Sequence, residues 1–304
     1  MRGILYNSKK SACSIWESGK MCYNSLKNSK FFVLDYSEDT NLDHSYDFAI
    51  FNQHSTVNNW ITLEIIQQFN KPTFCIVTEV VFNGNPASAS PNYFSHYIIL
   101  DPTINETNKY HAFGRPLEEF DLTNVDQSKI NYDTPEIFSF GFATLGKNWT
   151  GIIDAVQNEY DNANIHFNIP KGDYVPTHDL IINEIADKCK NGLYKPGIKV
   201  KITQDNLSKK ELIELCSTKT INCFLYNRNF FAGLAAVTDQ AISSGRPLLI
   251  SKDLTFRHIH KYIIPYPDIS IKDAIKRNSV LNMKNDWSSL NFLLKFEKLL
   301  SQCS

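Results

Sequence analysis

Long apolar runs are missing from this sequence of 304 residues. No stretch approaches the roughly 20 apolar residues that a membrane-spanning helix requires, so we expect no membrane span. The first residues, Met1-Arg2-Gly3-Ile4-Leu5-Tyr6, enter a strand-like segment directly and lack the apolar core of a secretion signal. Both absences favour a cytoplasmic protein.

Cysteine pairs at the spacing of a metal site are also absent. The seven cysteines are scattered, none belongs to a Cys-x-x-Cys motif, and most lie in apolar segments such as Phe74-Cys75-Ile76. An odd number of scattered thiols is typical of reduced core residues and not of a zinc site or a disulfide framework. We therefore expect no metal site.

An excess of charge of either sign is missing too. The 31 Lys and Arg residues nearly balance the 32 Asp and Glu residues, which leaves a formal net charge of -1. No global field therefore draws the protein to nucleic acid or to an acidic membrane. The local exception is Lys195, Lys199 and Lys201, a short basic strip that leaves a nucleic-acid partner open.

Length and patterning indicate two α/β domains. A single core rarely grows beyond about 250–300 residues, and short apolar runs alternate here with helix-like stretches, as in parallel sheets covered on both faces. The segment from Arg115-Pro116 to Pro135 has few apolar runs and resembles a linker. We place an N-terminal domain over residues 1–130, a second domain over 131–280, and a C-terminal amphipathic helix over 281–304 that we expect to pack back on the first domain.

The same patterning predicts the individual elements. Strands are predicted over residues 3–6, 31–36, 47–51, 73–77, 95–100, 136–140, 165–169, 198–202, 221–225 and 247–251. Helices are predicted from near residue 14 and over residues 60–69, 150–159, 178–190, 207–216 and 232–243, with Ser208 and Glu211 forming a capping box. Ligands of such sheets bind at the carboxyl ends of strands, so residues that follow strands are the candidates for function.

A loop with two glycines and a lysine follows the predicted strand 136–140. It contains Gly141, Thr144, Gly146 and Lys147, and a helix follows it. Such a turn lets backbone N–H groups and a helix start face an anion, and Lys147 adds a full charge. The Gly-Lys-Ser/Thr ending of a Walker loop is missing. The alternative is an ordinary strand-to-helix turn with a solvated lysine.

A second polar loop follows the buried strand 221–225. Asn227 and Arg228 lie in it, and we expect Gly233 and Leu234 to open a helix of small residues that a diphosphate can approach closely. A guanidinium such as that of Arg228 pairs with phosphate through two parallel hydrogen bonds. Further along, Thr238, Asp239 and Gln240 lie on the same predicted helix, where Thr238 or Asp239 can line the same crevice. Their alternative role is a cap on a solvated face.

These two segments resemble the signature of a known family. The stretch from Leu225 to Ser251 contains an acidic residue, then Ala241-Ile242-Ser243-Ser244-Gly245-Arg246-Pro247 and a short strand. It is similar to the C-terminal part of retaining glycosyltransferases with the GT-B fold, of the family-4 type (glycosyl transferases group 1). The loop from Gly141 to Lys147 resembles their interdomain Gly-Arg-x-x-x-x-Lys element, with Phe142 in place of the arginine.

The resemblance implies two Rossmann-like domains facing each other across a cleft and a nucleotide-sugar donor, UDP- or GDP-sugar, which is a substrate and not a cofactor. The donor phosphates are then held by Lys147, Arg228, Gly233, Leu234, Gly141 and Thr144, and its sugar or nucleotide by Asn227, Thr238 and Gln240. The two glutamates of the family fall near Ala232 and Gln240, and neither position is acidic here. Asp239 replaces the second glutamate only if the helix register differs by one residue.

The N-terminal domain is the acceptor side in that family. His54 follows the third predicted strand and Glu79 the fourth, so both are candidates for the catalytic base or for contacts with a sugar hydroxyl. The alternative for His54 is a histidine bonded to the loop backbone. With Asp239, they complete the predicted catalytic residues.

The predicted reaction is transfer of a sugar to an unknown acceptor hydroxyl, with retention of configuration by resemblance to the family. No Asp-x-Asp element follows a suitable strand, so the reaction is expected to be metal-independent. Two alternatives remain open. One is a binding protein of the same fold that has lost catalysis, and the other is a glycosyltransferase that acts on nucleic-acid bases.

Overall fold

The chain divides into two compact units, which are described separately. The computed structural model describes residues 1–9, 14–54, 57–80, 92–126, 128, 130–172, 175–193, 195–228 and 233–303. Unit 1 comprises Met1–Glu118, Phe231–Leu234 and Asp286–Ser304, and unit 2 comprises Glu119–Phe230 and Ala235–Asn285. Across these described ranges, no helix is long and apolar enough to cross a membrane.

Unit 1 is built on a parallel sheet of six strands. They are β1 (Arg2–Tyr6), β2 (Val33–Ser37), β3 (Phe48–Phe51), β4 (Thr73–Val77), β5 (His96–Ile99) and β6 (Tyr110–Ala112). The spatial order is β2-β1-β3-β4-β5-β6, and each neighbouring pair is parallel. The chain therefore reverses its direction of progress across the sheet between β1 and β3. This reversal is the switch point at which parallel sheets open a crevice.

Helices cover both faces of the sheet in unit 1. On one face lie α1 (Ser14–Leu26) and α9 (Ser289–Ser301), whose Phe292, Phe296 and Leu299 enter the same core as Leu26. On the other face, α2 (Leu63–Phe69) contributes to a second core. Burial on both faces explains why every residue of β3 and β4 is buried and why, Thr73 apart, all of them are apolar without alternation.

Unit 2 repeats the plan with five strands. They are β7 (Glu136–Phe140), β8 (Asn162–Asn168), β9 (Gly197–Thr203), β10 (Ile221–Phe224) and β11 (Leu248–Ile250). The spatial order is β11-β10-β7-β8-β9, with every neighbouring pair parallel. The switch point lies between β7 and β10, the two strands followed by the predicted phosphate-binding loops.

The helices of unit 2 are α3 (Trp149–Glu159), α4 (His178–Gly192), α5 (Lys209–Ser217), α6 (Val237–Ser243) and α7 (Ile271–Arg277), with a 3₁₀ helix at Leu254–Ile259. A helix α8 (Val280–Asp286) follows, and its last residue belongs to unit 1. Helices α3, α4 and α7 share one core with the sheet. In β8 the alternate residues Ala163, Ile165 and Phe167 are buried, as is Asn168 at its end, whereas Asn164 and His166 are partly exposed because one face of that strand is less completely covered.

Several predicted elements are confirmed, and some are wrong in their bounds. The strands predicted over 73–77 and 136–140 are β4 and β7, and the Ser208–Glu211 capping box is present. The helix predicted over 232–243 begins only at Val237. Position 232 lies outside the described residues, and Gly233 has a φ of 77°, which no residue of a right-handed helix adopts. The predicted single C-terminal helix is two helices, α8 and α9. Strand β6, α7 and the 3₁₀ helix were not predicted.

Candidate functional site

Two loops meet at the switch point of unit 2. The loop after β7 carries Lys147, and the loop after β10 carries Arg228. The backbone N–H of Asn227 donates to the carbonyl of Gly146 over 2.7 Å, so the two loops are hydrogen-bonded to each other. The sheet topology thus brings together residues that are about 80 positions apart in the sequence.

Lys147 is buried in this site, with only 6% of its surface exposed. Its ammonium lies against the backbone of Gly141, where a Cβ atom would be 2.5 Å from Nζ. Gly141 also has a φ of 122°, in the region that side chains disfavour. The glycine is therefore required twice, for its backbone conformation and for the space that the ammonium occupies.

Two aromatic rings line the position of the cations. Nζ of Lys147 lies 5.7 Å from the ring centre of Trp149 and 5.9 Å from that of Tyr226. The guanidinium carbon of Arg228 lies 5.1 Å from the same Tyr226 ring. Such contacts partly compensate a buried cation by the negative face of the ring. They leave N–H donors of both cations available for a ligand.

Arg228 is held in place from both its backbone and its side chain. Its backbone N–H donates to Oδ2 of Asp253 over 2.6 Å, and its guanidinium Nη2 donates to Oγ1 of Thr144 over 2.9 Å. The other oxygen of Asp253 accepts from the backbone N–H and the hydroxyl of Thr255 and thereby caps the 3₁₀ helix that begins at Leu254. A Cβ atom at Gly146 would come within 2.8 Å of Cγ of Arg228. These contacts fix the part of the loop after β10 that the structure describes up to Arg228.

The electrostatics of the site favour an anion. Burial, and then the positive charge of Arg228, lower the pKa of Lys147 to about 7. Within the part of the chain that the structure describes, neither Lys147 nor Arg228 forms an ion pair with a carboxylate. A di-anion bound here would offset the repulsion between the two side chains and favour the protonated form of Lys147.

Helix α6 starts beside this site but turns its first polar side chains inward. Val237 lies next to Gly141, at 3.4 Å from the position of a Cβ atom there. Thr238 is fully buried, and its hydroxyl bonds to the carbonyl of Ala235 and to Nε2 of His258. Asp239, in the first turn, is 5% exposed, whereas Gln240 is partly exposed. Gln240 is thus the most accessible of the three predicted residues on α6.

The predicted base residues come together in unit 1. Nε2 of His54 lies 3.5 Å from Oε2 of Glu79, and the two side chains are 14% and 46% exposed. The hydrogen bond from His54 lowers the pKa of Glu79 more than burial raises it. Glu79 is therefore ionised at neutral pH and orients the imidazole, an arrangement suited to proton transfer.

Gly233 and Leu234 are grouped by their contacts with unit 1. The N–H of Gly233 donates to the carbonyl of Val80 over 3.3 Å, and a Cβ atom at Gly233 would lie 3.5 Å from Cγ of Glu79. The predicted role of Gly233 at a helix start is therefore wrong, since no helix begins there. Its place beside the carboxylate of Glu79 was not predicted.

A buried amide network occupies the switch point of unit 1. Asn7 follows β1 and Asn52 follows β3, and Nδ2 of Asn52 donates to Oδ1 of Asn7 over 2.6 Å. Asn58 donates to the carbonyl of Asn52 over 2.5 Å. These bonds fix the backbone that leads into His54. Sequence reasoning missed Asn7, although its position directly after an apolar strand is the signal that pointed to His54.

Trp149, Tyr226 and Asp253 also belong to the site of unit 2, and they were not among the predicted residues. Trp149 and Tyr226 stand in the two segments singled out from the sequence, so a search for aromatic residues beside the predicted cations would have found them. Asp253 follows β11 and precedes a threonine by two positions, the pattern of a short helix cap. Its contact with Arg228 spans 25 residues and is visible only in the structure.

Comparison with known proteins rests on structure alone. No protein-family model and no curated protein matches the sequence. Anabaena Alr3699/HepE in complex with UDP is similar in structure, with 9% identity, a TM-score of 0.66 and 99% of this chain and 100% of that chain covered. A trehalose-6-phosphate structure from E. coli, bound with UDP-2-fluoro glucose, is similar with 9% identity and a TM-score of 0.59, and 100% of both chains is covered. An alpha-glucosyltransferase in complex with UDP-glucose and DNA is similar with 10% identity and a TM-score of 0.55, and 100% of this chain and 96% of that chain are covered.

These likenesses establish the fold class. Two parallel Rossmann-like sheets, matched over the full length of solved glycosyltransferases, give the chain the GT-B fold. The two Rossmann-like parallel-sheet domains that the resemblance to glycosyl transferases group 1 implied are confirmed. At sequence identities of 8–11%, the structural similarity shows the fold alone, and the function has to be argued from the residues of the site.

Proposed function

We propose that the protein is a glycosyltransferase that moves a sugar from a nucleotide-sugar donor to an acceptor hydroxyl. The observation that supports this best is the buried pair of Lys147 and Arg228 at the switch point of unit 2. Two cations without an acidic partner among the described residues suit a diphosphate, the part of the donor that gains charge as the sugar leaves.

The roles of the remaining residues follow from their places. Thr144 and Asp253 position Arg228, Gly141 makes room for Lys147, and the accessible Asn227 and Gln240 are left to contact the nucleotide or the sugar. Because Lys147 and Arg228 supply the positive charge, we propose a reaction that does not depend on a metal ion. His54, oriented by Glu79, is proposed as the base or the sugar-binding group of the acceptor side.

A UDP-sugar is the favoured donor, because several of the similar structures hold UDP, UDP-glucose or a fluorinated UDP-glucose. GDP-sugars are the alternative. The test is a panel of UDP- and GDP-sugars, scored first by thermal shift and then by release of the nucleoside diphosphate. A ligand that binds the folded state raises the melting temperature.

Substitution of Lys147 tests the role of the cation in the reaction. We expect Lys147→Ala to lower turnover with the best donor at least about tenfold, the scale of a lost charged contact in a transition state. The same substitution at Lys199, which is exposed on β9, is the control and leaves turnover unchanged. Equal rates in wild type and Lys147→Ala would refute the proposed role.

The donor panel and a gel shift with DNA distinguish the proposed transferase from the two alternative functions. Binding of a donor without its hydrolysis or transfer would identify a non-catalytic binding protein, a possibility that the neutral Gln240 keeps open. A nucleic-acid acceptor predicts a salt-sensitive gel shift with DNA. The basic strip is weaker than the sequence suggested, since Lys195 pairs with Asp161 over 2.9 Å.

Retention of configuration is proposed from the resemblance to the family. The test is proton NMR of the early product, which reports the anomeric configuration before any equilibration. A product of inverted configuration would contradict the retaining mechanism and leave the transferase proposal intact.

A further inference from the structure

A thiol and two imidazoles form a hydrogen-bonded chain in unit 1, away from the residues discussed so far. Sγ of Cys303 lies 3.1 Å from Nε2 of His96, and Nδ1 of His96 lies 3.1 Å from Nε2 of His111. His96 begins β5, and His111 lies on the neighbouring β6. The amino end of β5 is the opposite end of the sheet from the carboxyl ends that carry His54 and Glu79.

The middle imidazole is held firmly. The ring of His96 stacks on that of the buried Phe74, with centroids 5.5 Å apart and planes 23° apart. Its centroid lies 5.2 Å from that of His111 on the other strand. Both nitrogens of His96 are therefore used, one toward sulfur and one toward the second histidine. This is the order of nucleophile, base and orienting group found in nucleophilic sites.

The thiol proton of Cys303 has two acceptors within reach. One is His96, and the other is the carbonyl of Leu299 in the last turn of α9, at 3.2 Å. When the proton lies on the carbonyl side, His96 donates to sulfur; when it lies on the histidine side, His96 accepts. Only the second arrangement, in which Nε2 is unprotonated, lets the imidazole take the thiol proton; Nδ1 of His96 then carries the ring proton and donates it to Nε2 of His111.

The surroundings keep both partners neutral. Burial raises the pKa of Cys303 and lowers the pKa of His96 and of His111. Charged neighbours are Lys109 beside His96, and the ion pair of Lys295 with Glu106 beside His111. A neutral thiol beside a neutral imidazole means that the proton moves to His96 as sulfur attacks, and not before, which is general-base catalysis.

We propose that Cys303 is a reactive thiol that exchanges with small-molecule disulfides, with His96 as its general base and His111 as a positioning residue. Sulfur attacks one sulfur atom of the disulfide while His96 takes the thiol proton. The disulfide bond breaks, a mixed disulfide forms at Cys303, and the leaving thiolate receives the proton from His96. Cys303 is oxidised, and the departing half of the disulfide is reduced to a thiol.

The other cysteines provide the comparison. Cys22, Cys75, Cys216 and Cys223 are completely buried, which excludes a reagent from them in the folded protein. Cys189, on α4 of unit 2, is half-buried like Cys303, and burial raises its pKa as well. Among the described residues no imidazole is hydrogen-bonded to Cys189. The rate at which Cys189 is modified therefore shows what accessibility alone gives, without help from a base.

The experiment measures the rate at which a small aromatic disulfide modifies each cysteine of the native chain, by mass spectrometry of peptides after short reaction times. We expect Cys303 to react at least about tenfold faster than Cys189, a threshold set below the roughly 10²–10⁴-fold that a positioned base contributes. Equal rates at Cys303 and Cys189 in the unsubstituted protein would overturn the proposal without any variant.

Variants of the two histidines then distinguish loss of the base from a general disturbance of the structure around Cys303. We expect His96→Ala to slow Cys303 at least about tenfold and to leave Cys189 unchanged, and added imidazole to restore the rate at Cys303 alone. His111→Phe is expected to slow Cys303 less, without rescue by imidazole. If His96→Ala leaves the rate at Cys303 unchanged or raises it, the histidine is not the base. If that variant fails to fold, His96→Gln replaces it with the same readouts.

Discussion

Lys147 is the residue on which the proposed chemistry of unit 2 depends, and its buried charge lowers the stability of the folded protein. Its ammonium is buried beside a second cation and lacks an acidic partner among the described side chains. Aromatic contacts with Trp149 and Tyr226 offset part of that cost. Residues with such unfavourable surroundings are commonly retained for function and not for stability.

Replacing this lysine is expected to stabilise the protein without ligand. The pKa of Lys147 falls from 10.5 to about 7 on folding, so between these values the unfolded chain binds more protons and stability rises with pH. Below pH 7 the folded protein carries the full cost of the buried charge. We therefore expect Lys147→Met to raise the melting temperature at pH 6 and to lose most of this advantage at pH 10.

Thermal melts at both pH values, with and without UDP, check this expectation. UDP should stabilise the wild type and not the variant. A variant that melts below the wild type at pH 6 would show that the lysine is stabilised in a way that the geometry does not reveal.

Gly141 permits a direct test of how closely the ammonium must lie to the backbone. Gly141→Ala places a methyl group 2.5 Å from Nζ of Lys147 at a φ of 122°. We expect a loss of about 1–3 kcal/mol in stability from the backbone and at least a tenfold loss in UDP affinity, about 1.4 kcal/mol, from displacement of the ammonium. Chemical denaturation and calorimetry measure the two effects.

Gly245 supplies the matched control, since its φ is 71° and its nearest neighbour, Nζ of Lys284, lies 3.9 Å from a Cβ position. Gly245→Ala should therefore destabilise by a similar backbone term and leave UDP affinity unchanged. Equal losses of affinity in both variants would mean that general destabilisation, and not the position of the ammonium, explains the effect.

At the scale of elements, the loop after β10 is shaped by a carboxylate from another loop. Asp253 accepts from the backbone of Arg228 and caps the 3₁₀ helix, so Asp253→Ala is expected to cost about 1–2 kcal/mol in stability. It should also weaken donor binding, because Arg228 then samples other positions. The control is Asp268→Ala, which removes an exposed pair with Lys252. Denaturation and donor titration of the two variants are to be compared.

Prediction from sequence succeeded where the signal was local. The apolar runs of β4 and β7 and the capping pair of Ser208 and Glu211 depend on neighbouring residues, and they were found with their bounds. The helix start was misplaced because the residues after Gly233, Leu234 to Ala236, suit a helix by propensity. The left-handed conformation of Gly233 accompanies its hydrogen bond to Val80 and places it outside the helix. Tertiary contacts overrode propensity there.

The same limit applies to the site. Lys147 and Arg228 were predicted from their places after strands, and the alternating sheet pattern suffices for that. Their partners Asp253 and Tyr226, and the pairing of His54 with Glu79, arise from contacts between loops that the sequence does not order in space.

At the scale of the whole molecule, the chain returns at its end to the unit in which it began. Helix α9 belongs to unit 1 and places Phe296 in a core with Phe32, Phe48 and Phe74. Phe296→Ala is expected to cost about 3–5 kcal/mol, the usual loss for a buried phenylalanine. Hydrogen exchange should quicken in β4 and β5 of unit 1 and stay unchanged in β7 and β8 of unit 2.

Leu294, on the same helix but 52% exposed, gives the matched control. Leu294→Ala should change neither stability nor exchange. Faster exchange in both units of Phe296→Ala would show that they unfold as one body.

The closeness of two positive side chains at the reversal of the second sheet has a practical consequence. A purified sample will tend to retain whatever doubly charged oxyanion its buffer provides, because such an ion relieves the repulsion between the lysine and the arginine. Phosphate or pyrophosphate in the medium will then compete with the donor and mask its affinity. Assays in a buffer of a bulky monovalent anion are therefore the proper setting in which to judge whether this protein handles nucleotide sugars.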